Sequence, residues 1–146
     1  MISIHAGRRF RARLIGCLLV LGLAGCGKSI PTAEVDGVLI INGKPGDKVR
    51  VQFDPDGEKG GHGPPSTAET DATGHFTLEL MSDSGKRKPG AVVGWHRVTL
   101  SDIRLSESST GKGVPIRFGP DYTLPGSTPL QWEVKPDKQT IELKIP

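Results

Sequence analysis

Residues 35–53 read VDGVLIINGKPGDKVRVQF, and this stretch decides the fold that we predict. Apolar residues recur at every second position on both sides of the Asn-Gly pair, a pattern typical of two strands joined by a tight turn. The residues expected to face the core are Val35, Gly37, Leu39 and Ile41 in the first strand and Val49, Val51 and Phe53 in the second. Both strands therefore have one buried face and one polar face.

The same period of two recurs downstream, and no stretch after Cys26 has a helical period. The further inward positions are Phe76, Leu78 and Leu80; His96, Val98 and Leu100; Leu130, Trp132 and Val134; and Ile141, Leu143 and Ile145. Residues 66–70 are expected to form a polar edge strand, followed by a turn at 71–74. Seven short strands in a chain of this size predict an all-β fold, a seven-stranded Greek-key β-sandwich.

Four segments between these strands are expected to lack regular structure. Residues 56–65, 81–90 and 102–113 are rich in Gly, Ser or charged residues and are predicted to be loops. Residues 116–129 are irregular, and Phe118, Tyr122 and Leu124 are expected to cover an open end of the core.

The N-terminal region has the pattern of a secretory leader. Four arginines precede an apolar run at residues 14–23, which is too short to span a membrane. The LAGC sequence at residues 23–26 resembles a bacterial lipobox and predicts a diacylglycerol on the Cys26 thiol. We therefore expect a signal peptide at 1–25, a mobile tether at 26–33 and a domain at 34–146. An ordinary signal peptide, or a twin-arginine signal at Arg8-Arg9, is the alternative.

Removal of this leader changes the charge and the cysteine chemistry of the chain. Four of the 19 basic residues leave with it, so fifteen basic residues face sixteen acidic ones. This balance predicts no nucleic-acid partner. Cys17 lies in the discarded segment and Cys26 is expected to be acylated, so no disulfide within the mature chain is expected. Gly27, in place of Asp, resembles the pattern of lipoproteins sent to the outer membrane.

Three motifs in the domain carry a family resemblance. The spacings VxGxLxINGKP at 35–45, VxFxP at 51–55 and TDATGxF at 70–76 resemble carboxypeptidase regulatory-like domains, which belong with transthyretin-like, prealbumin-type sandwiches. GxHxVxL at 94–100 and LxWxV at 130–134 are similar to small bacterial lipoproteins built on that domain. The resemblance covers residues 35–145, and it implies a non-catalytic accessory module.

Candidate catalytic residues are few. Hydroxyisourate hydrolases, which resemble transthyretin, need a paired-histidine and arginine site and a Tyr-Arg-Gly-Ser tail, and this chain ends differently. His62 is expected to be solvated and His75 to point outward, whereas His96 falls on the apolar face as a hydrogen-bonded structural residue. A degenerate hydrolase is therefore the least favoured alternative.

Neither a metal nor a cofactor is expected. The acidic residues at 54–58 faintly resemble a calcium loop, but Pro55 interrupts them. The domain is also similar to pilin modules that cross-link Lys to Asn. Asn42, the only asparagine in the sequence, lies in a turn, so this bond is not expected through Asn.

The function expected from these features is that of a lipid-anchored, non-enzymatic protein of the cell envelope. Its expected partners are the membrane, through the anchor, and an envelope protein or a glycan. The alternative is a carbohydrate-binding module that uses Trp95, on the opposite side from His96, or the aromatic residues around Tyr122.

Overall fold

The computed structural model describes residues 29–82, 84–108 and 113–146, and β-strands are the main regular structure of these residues. The predicted leader and Cys26 lie outside the described residues. The strands are β1 Thr32–Ala33, β2 Val35–Ile41, β3 Lys44–Pro45, β4 Val49–Pro55, β5 Ser66–Glu69, β6 His75–Thr77, β7 Glu79–Met81, β8 Arg87–Pro89, β9 Ala91–Val92, β10 Gly94–Asp102, β11 Gln131–Val134 and β12 Gln139–Ile145. One short helix, α1, spans Ile103–Glu107, and 3₁₀ turns occupy Gly57–Lys59 and Pro120–Thr123.

The turn predicted at Asn42-Gly43 is confirmed, but the hairpin that it closes pairs β2 with the short strand β3, whereas β4 pairs with β5 and β10. Asn42 and Gly43 have φ angles of 51° and 74°, which places both central residues of the turn in the left-handed region that a tight β-hairpin requires. Strand β2 buries every second residue, beginning with Val35, and Val49, Val51 and Phe53 of β4 are fully buried. The hydrophobic period therefore sets which face of each strand enters the core.

The strands of the described residues are arranged in three sheets. A six-stranded sheet has the order β11-β10-β4-β5-β7-β8, and β1 pairs with β9 in a two-stranded sheet. In the remaining sheet β2 pairs antiparallel with β3 and β6, but parallel with β12 along seven residues, from Val35↔Gln139 to Ile41↔Ile145. The all-β class is confirmed. The chain forms more and shorter strands than the seven expected, and the Greek-key sandwich stays a prediction.

The core joins the strands through alternating apolar residues. Its buried members are Ala33, Val35, Leu39, Ile41, Val49, Val51, Phe53, Phe76, Leu78, Ala91, Val98, Leu100, Val134, Ile141, Leu143 and Ile145. The core leaves no room for a side chain at Gly37, where a Cβ atom would lie 2.3 Å from Cζ of Phe76. Gly37 is therefore needed for the space that the aromatic ring fills.

Two predictions were wrong, one of an edge strand and one of a loop. Residues 66–69 are not at an edge, because β5 pairs with both β4 and β7. A strand with polar residues can occupy the middle of a sheet when one of its faces is solvated. Residues 81–90 contain strand β8, which pairs with β7 as the second arm of a hairpin. Neighbouring charged residues hid this strand, since edge strands often carry charges.

Three further segments also differ from expectation. The stretch predicted as a loop from residue 102 begins with α1, whose N-cap Asp102 accepts a hydrogen bond from the Arg104 amide. At the N-terminal end Thr32 and Ala33 pair with β9, so the ordered part of the domain begins before residue 34. Phe118 and Tyr122 pack against the core as expected, but Leu124 is exposed.

Candidate functional site

The point at which the described chain begins is held firmly by the fold. The Val93 amide donates to the Pro31 carbonyl at 2.9 Å, and Thr32 and Ala33 then pair with Val92 and Ala91. A Cβ atom at Gly90 would lie 2.3 Å from the Ala33 carbonyl oxygen, so only glycine allows this close approach. Residues 31–33 of the expected tether are therefore attached to the domain, and Pro31 lies five residues after Cys26.

Trp95, the first candidate for ligand binding, lies near the start of β10. Its indole is partly exposed, and the Lys59 ammonium lies 3.7 Å from the ring centroid. The same ammonium donates to Oε1 of Gln131 at 2.6 Å, which holds it over the ring. This cation–π contact covers one face of the indole, so that face is not open for stacking of a sugar.

The loop that carries Lys59 is fastened to β10 by backbone contacts. The Asp56 amide donates to the Trp95 carbonyl at 2.8 Å, and the Gly61 amide donates to the Asp56 carbonyl at the same distance. Oδ1 of Asp56 caps the 3₁₀ turn through the Glu58 amide at 3.1 Å. A loop rich in glycine is thereby kept in one conformation beside Trp95.

The acidic residues 54–58 lie beside an arginine. Nε of Arg97 lies 3.4 Å from Oδ1 of the buried Asp56, and its Nη2 donates to Glu58 at 2.5 Å. These side chains line an open cavity of about 430 Å³. Within the described ranges no three His, Cys, Asp or Glu residues are grouped so that they could hold a metal ion. Arg97 therefore pairs with Asp56 and Glu58, whereas Oδ1 of Asp54 accepts from Nε2 of Gln52 at 2.8 Å.

His96 points into the core on the opposite face of β10. Its Nδ1 lies 2.9 Å from the Gly94 carbonyl oxygen, and its ring packs 5.8 Å from the ring of Phe53, centroid to centroid. Nε2 is buried and has no hydrogen-bond partner among the residues that the structure describes. Burial lowers the pKa of His96 below 6.5, against the opposing effects of the Gly94 carbonyl and the Asp54 charge. The imidazole is thus held neutral.

The histidines are not brought together as a hydrolase site would require. His75 is exposed on β6, in the sheet built around β2, whereas His96 is buried in the six-stranded sheet. His62 is exposed in the loop before β5, where its Nδ1 lies 2.9 Å from the Gly60 carbonyl oxygen. Nδ2 of Asn42 donates to the Arg117 carbonyl at 3.4 Å.

The polar cluster around Asp102 was not predicted from the sequence. Asp102 is buried and accepts from Nη2 of Arg104 at 2.8 Å and from Nη2 of Arg117 at 2.9 Å. Burial alone would raise the pKa of Asp102, but hydrogen bonds from the two guanidinium groups outweigh burial and lower it to about 2. Nη1 of Arg117 also donates to Asp47 at 2.9 Å. The network ties the end of β10 to the segment before β4 and to the irregular region.

Asp102 could have been found from its position. It continues the alternation of His96, Val98 and Leu100, so an acidic side chain falls where the pattern requires an inward one. A buried carboxylate needs charged partners, and an inward Asp therefore predicts nearby arginines. The spacing of the sequence does not show which arginines pair with Asp102, since Arg117 lies fifteen residues further along the chain.

No helix among the described residues combines the length and the hydrophobicity needed to cross a membrane. Comparison of the chain with models of protein families, with curated proteins and with solved structures finds no match.

Proposed function

We propose that this protein is a lipid-anchored module of the bacterial cell envelope whose β-rich domain binds or braces another envelope component without catalysing a reaction. The observation that carries the proposal is the LAGC sequence at residues 23–26, placed after a basic and apolar leader. The fold supports it, because the backbone is already hydrogen-bonded to the domain at Pro31. An acyl chain on Cys26 would hold the whole domain beside the membrane.

The finer features of the proposal rest on the sequence. The carboxypeptidase regulatory-like motifs favour a Greek-key sandwich, and Gly27 after the acylated cysteine favours the outer membrane. The buried, neutral His96 and the ion-paired acidic residues at Arg97 are compatible with a non-catalytic domain. An envelope protein is the preferred partner, since Lys59 covers one face of Trp95 and Tyr122 packs edge-on against Phe118.

Metabolic labelling with radioactive palmitate tests the anchor. The wild-type protein and Cys17→Ala should both incorporate the label, because Cys17 lies in the part of the leader that is removed. Cys26→Ala should incorporate none. The mature protein should also have the mass of residues 26–146 plus its acyl groups. Label retained by Cys26→Ala, or an unmodified mature chain, would contradict the proposal.

A further inference from the structure

Two surface cavities meet at Ile30. One has a volume of about 310 Å³ and is lined by Met81 and Lys88, and the other, of about 150 Å³, is lined by Lys59 and Trp95. Ile30 and Val92 line both, so the two cavities form one continuous surface. We call the five side chains that project from it, Ile30, Lys59, Met81, Lys88 and Trp95, the Ile30 surface.

The Ile30 surface combines exposed apolar groups with positive charge. Ile30, Met81 and Trp95 are 40%, 51% and 37% exposed, and they are three of the six large apolar side chains that are exposed in the described part of the chain. Lys59 and Lys88 are there without a carboxylate, since no Asp or Glu of the described residues lines either cavity. The cavity at Arg97, by contrast, is lined by Asp54, Asp56 and Glu58.

The position of this surface follows from the predicted anchor. Three peptide units separate Cys26 from Ser29, and at 3.8 Å for each Cα–Cα step they span at most about 11 Å. Ile30 is followed by Pro31 and Thr32, which are hydrogen-bonded or paired to the domain. This short span keeps the start of the described domain close to the bilayer, where headgroup charges act over a Debye length of about 8 Å at physiological ionic strength.

We propose that the Ile30 surface lies against the membrane and binds anionic lipid headgroups, an inference that rests on the proposed lipid anchor. Lys59 and Lys88 pair with the headgroup charges, which attract cations close to the bilayer. Trp95 lies at the headgroup level, where an aromatic ring with a polar N–H is favoured, and Ile30 and Met81 enter the acyl boundary. The anchor and the surface together fix the orientation of the domain.

Tryptophan fluorescence in reconstituted vesicles tests this orientation. The full protein, extracted with its own N-terminus, is placed in vesicles of brominated phosphatidylcholine, with or without phosphatidylglycerol. Emission from Trp95, taken as the difference between wild type and Trp95→Phe, should be quenched more strongly in the anionic vesicles. Two lysines near the surface should favour docking on these by roughly 30-fold relative to neutral vesicles.

Charge variants separate lipid contact from a general charge effect. Lys59→Gln/Lys88→Gln should lose the dependence on phosphatidylglycerol. Lys44→Gln/Lys144→Gln, which removes two lysines near the opposite end of β2, should keep it. Equal responses of the two double variants would overturn the proposal.

The palmitate label distinguishes a failure of the lipid anchor from a failure of the membrane contact at the Ile30 surface. If Cys26 is labelled but Trp95 stays unquenched in both kinds of vesicle, the proposed anchor stands. The Ile30 surface is then not a membrane contact and is open to a protein partner. A protein without label loses the anchor, and the membrane assignment of the surface falls with it.

Discussion

The replacement Asp102→Asn tests the buried charge network most directly. The amide keeps the size of the carboxyl group and can still cap α1 by accepting from the Arg104 amide, as the carboxylate does at 3.2 Å. It removes the negative charge that faces Arg104 and Arg117. The change in stability therefore reports the charge and not the cap.

The expected loss of stability can be worked out in two ways. Removing one partner of a buried ion pair costs about 3–5 kcal/mol. The side chains of Arg104 and Arg117 are 27% and 15% exposed, and Arg117 keeps its ion pair with Asp47, so we expect a smaller loss of about 2–3 kcal/mol. The pKa gives a similar figure. Each pH unit between folded and unfolded pKa values corresponds to about 1.4 kcal/mol, so a native pKa of about 2 against 3.8 corresponds to about 2 kcal/mol.

The pH dependence of this contribution has a defined sign. The native state lowers the pKa of Asp102, so its stabilisation is complete above the ordinary value of 3.8 and is lost as the pH falls toward 2. Urea unfolding of wild type and Asp102→Asn should therefore differ by about 2–3 kcal/mol at pH 7 and by roughly half of that or less at pH 2.5. Asp137→Asn, in the exposed turn before β12, is the matched control and should match wild type at both pH values. A difference that is equal at pH 7 and pH 2.5 would refute the account of the network.

Three further replacements test local features of the fold. Gly37→Ala should lower the free energy of unfolding, measured in urea, by about 1–3 kcal/mol because the new Cβ atom would overlap Phe76. Gly126→Ala, at a position with open space around it, is the control and should change this free energy little. Burial lowers the pKa of His96, so wild-type stability should decrease as the pH falls from about 6.5 toward the native pKa, and unfolding of His96→Gln should lack this slope. Asp71→Ala removes the Oδ1 atom that accepts from two backbone amides of the 71–75 turn and should cost about 1 kcal/mol; an unchanged thermal midpoint would contradict that role.

The alternation of apolar residues was a reliable guide to the core. In β2, β4 and β12 every residue expected to face inward is buried, because a period of two leaves one face for the interior. The turns were equally readable. Asn42-Gly43 and the Asp71 turn are set by local backbone geometry and by hydrogen bonds two to four residues away, which a sequence displays directly.

The pairing partners of the strands were harder to predict from the sequence than their buried faces. Nothing in the residues of β12 shows that it lies parallel to β2, since the choice of partner depends on the path of the whole chain. The position of β5 between β4 and β7 was hidden for the same reason. The Ile30 surface brings together Lys59, Met81 and Trp95 from three separate segments, so only the fold could place them side by side.

The parallel ladder between β2 and β12 determines when folding can finish. Val35 and Gln139 are partners although nearly the whole domain lies between them, so a large loop must close before the ladder forms. A chain that emerges from a ribosome in N- to C-terminal order keeps one edge of β2 unpaired until residues 139–145 arrive. In that interval a chaperone would have the most to protect, and two nascent copies would be most prone to pair with each other.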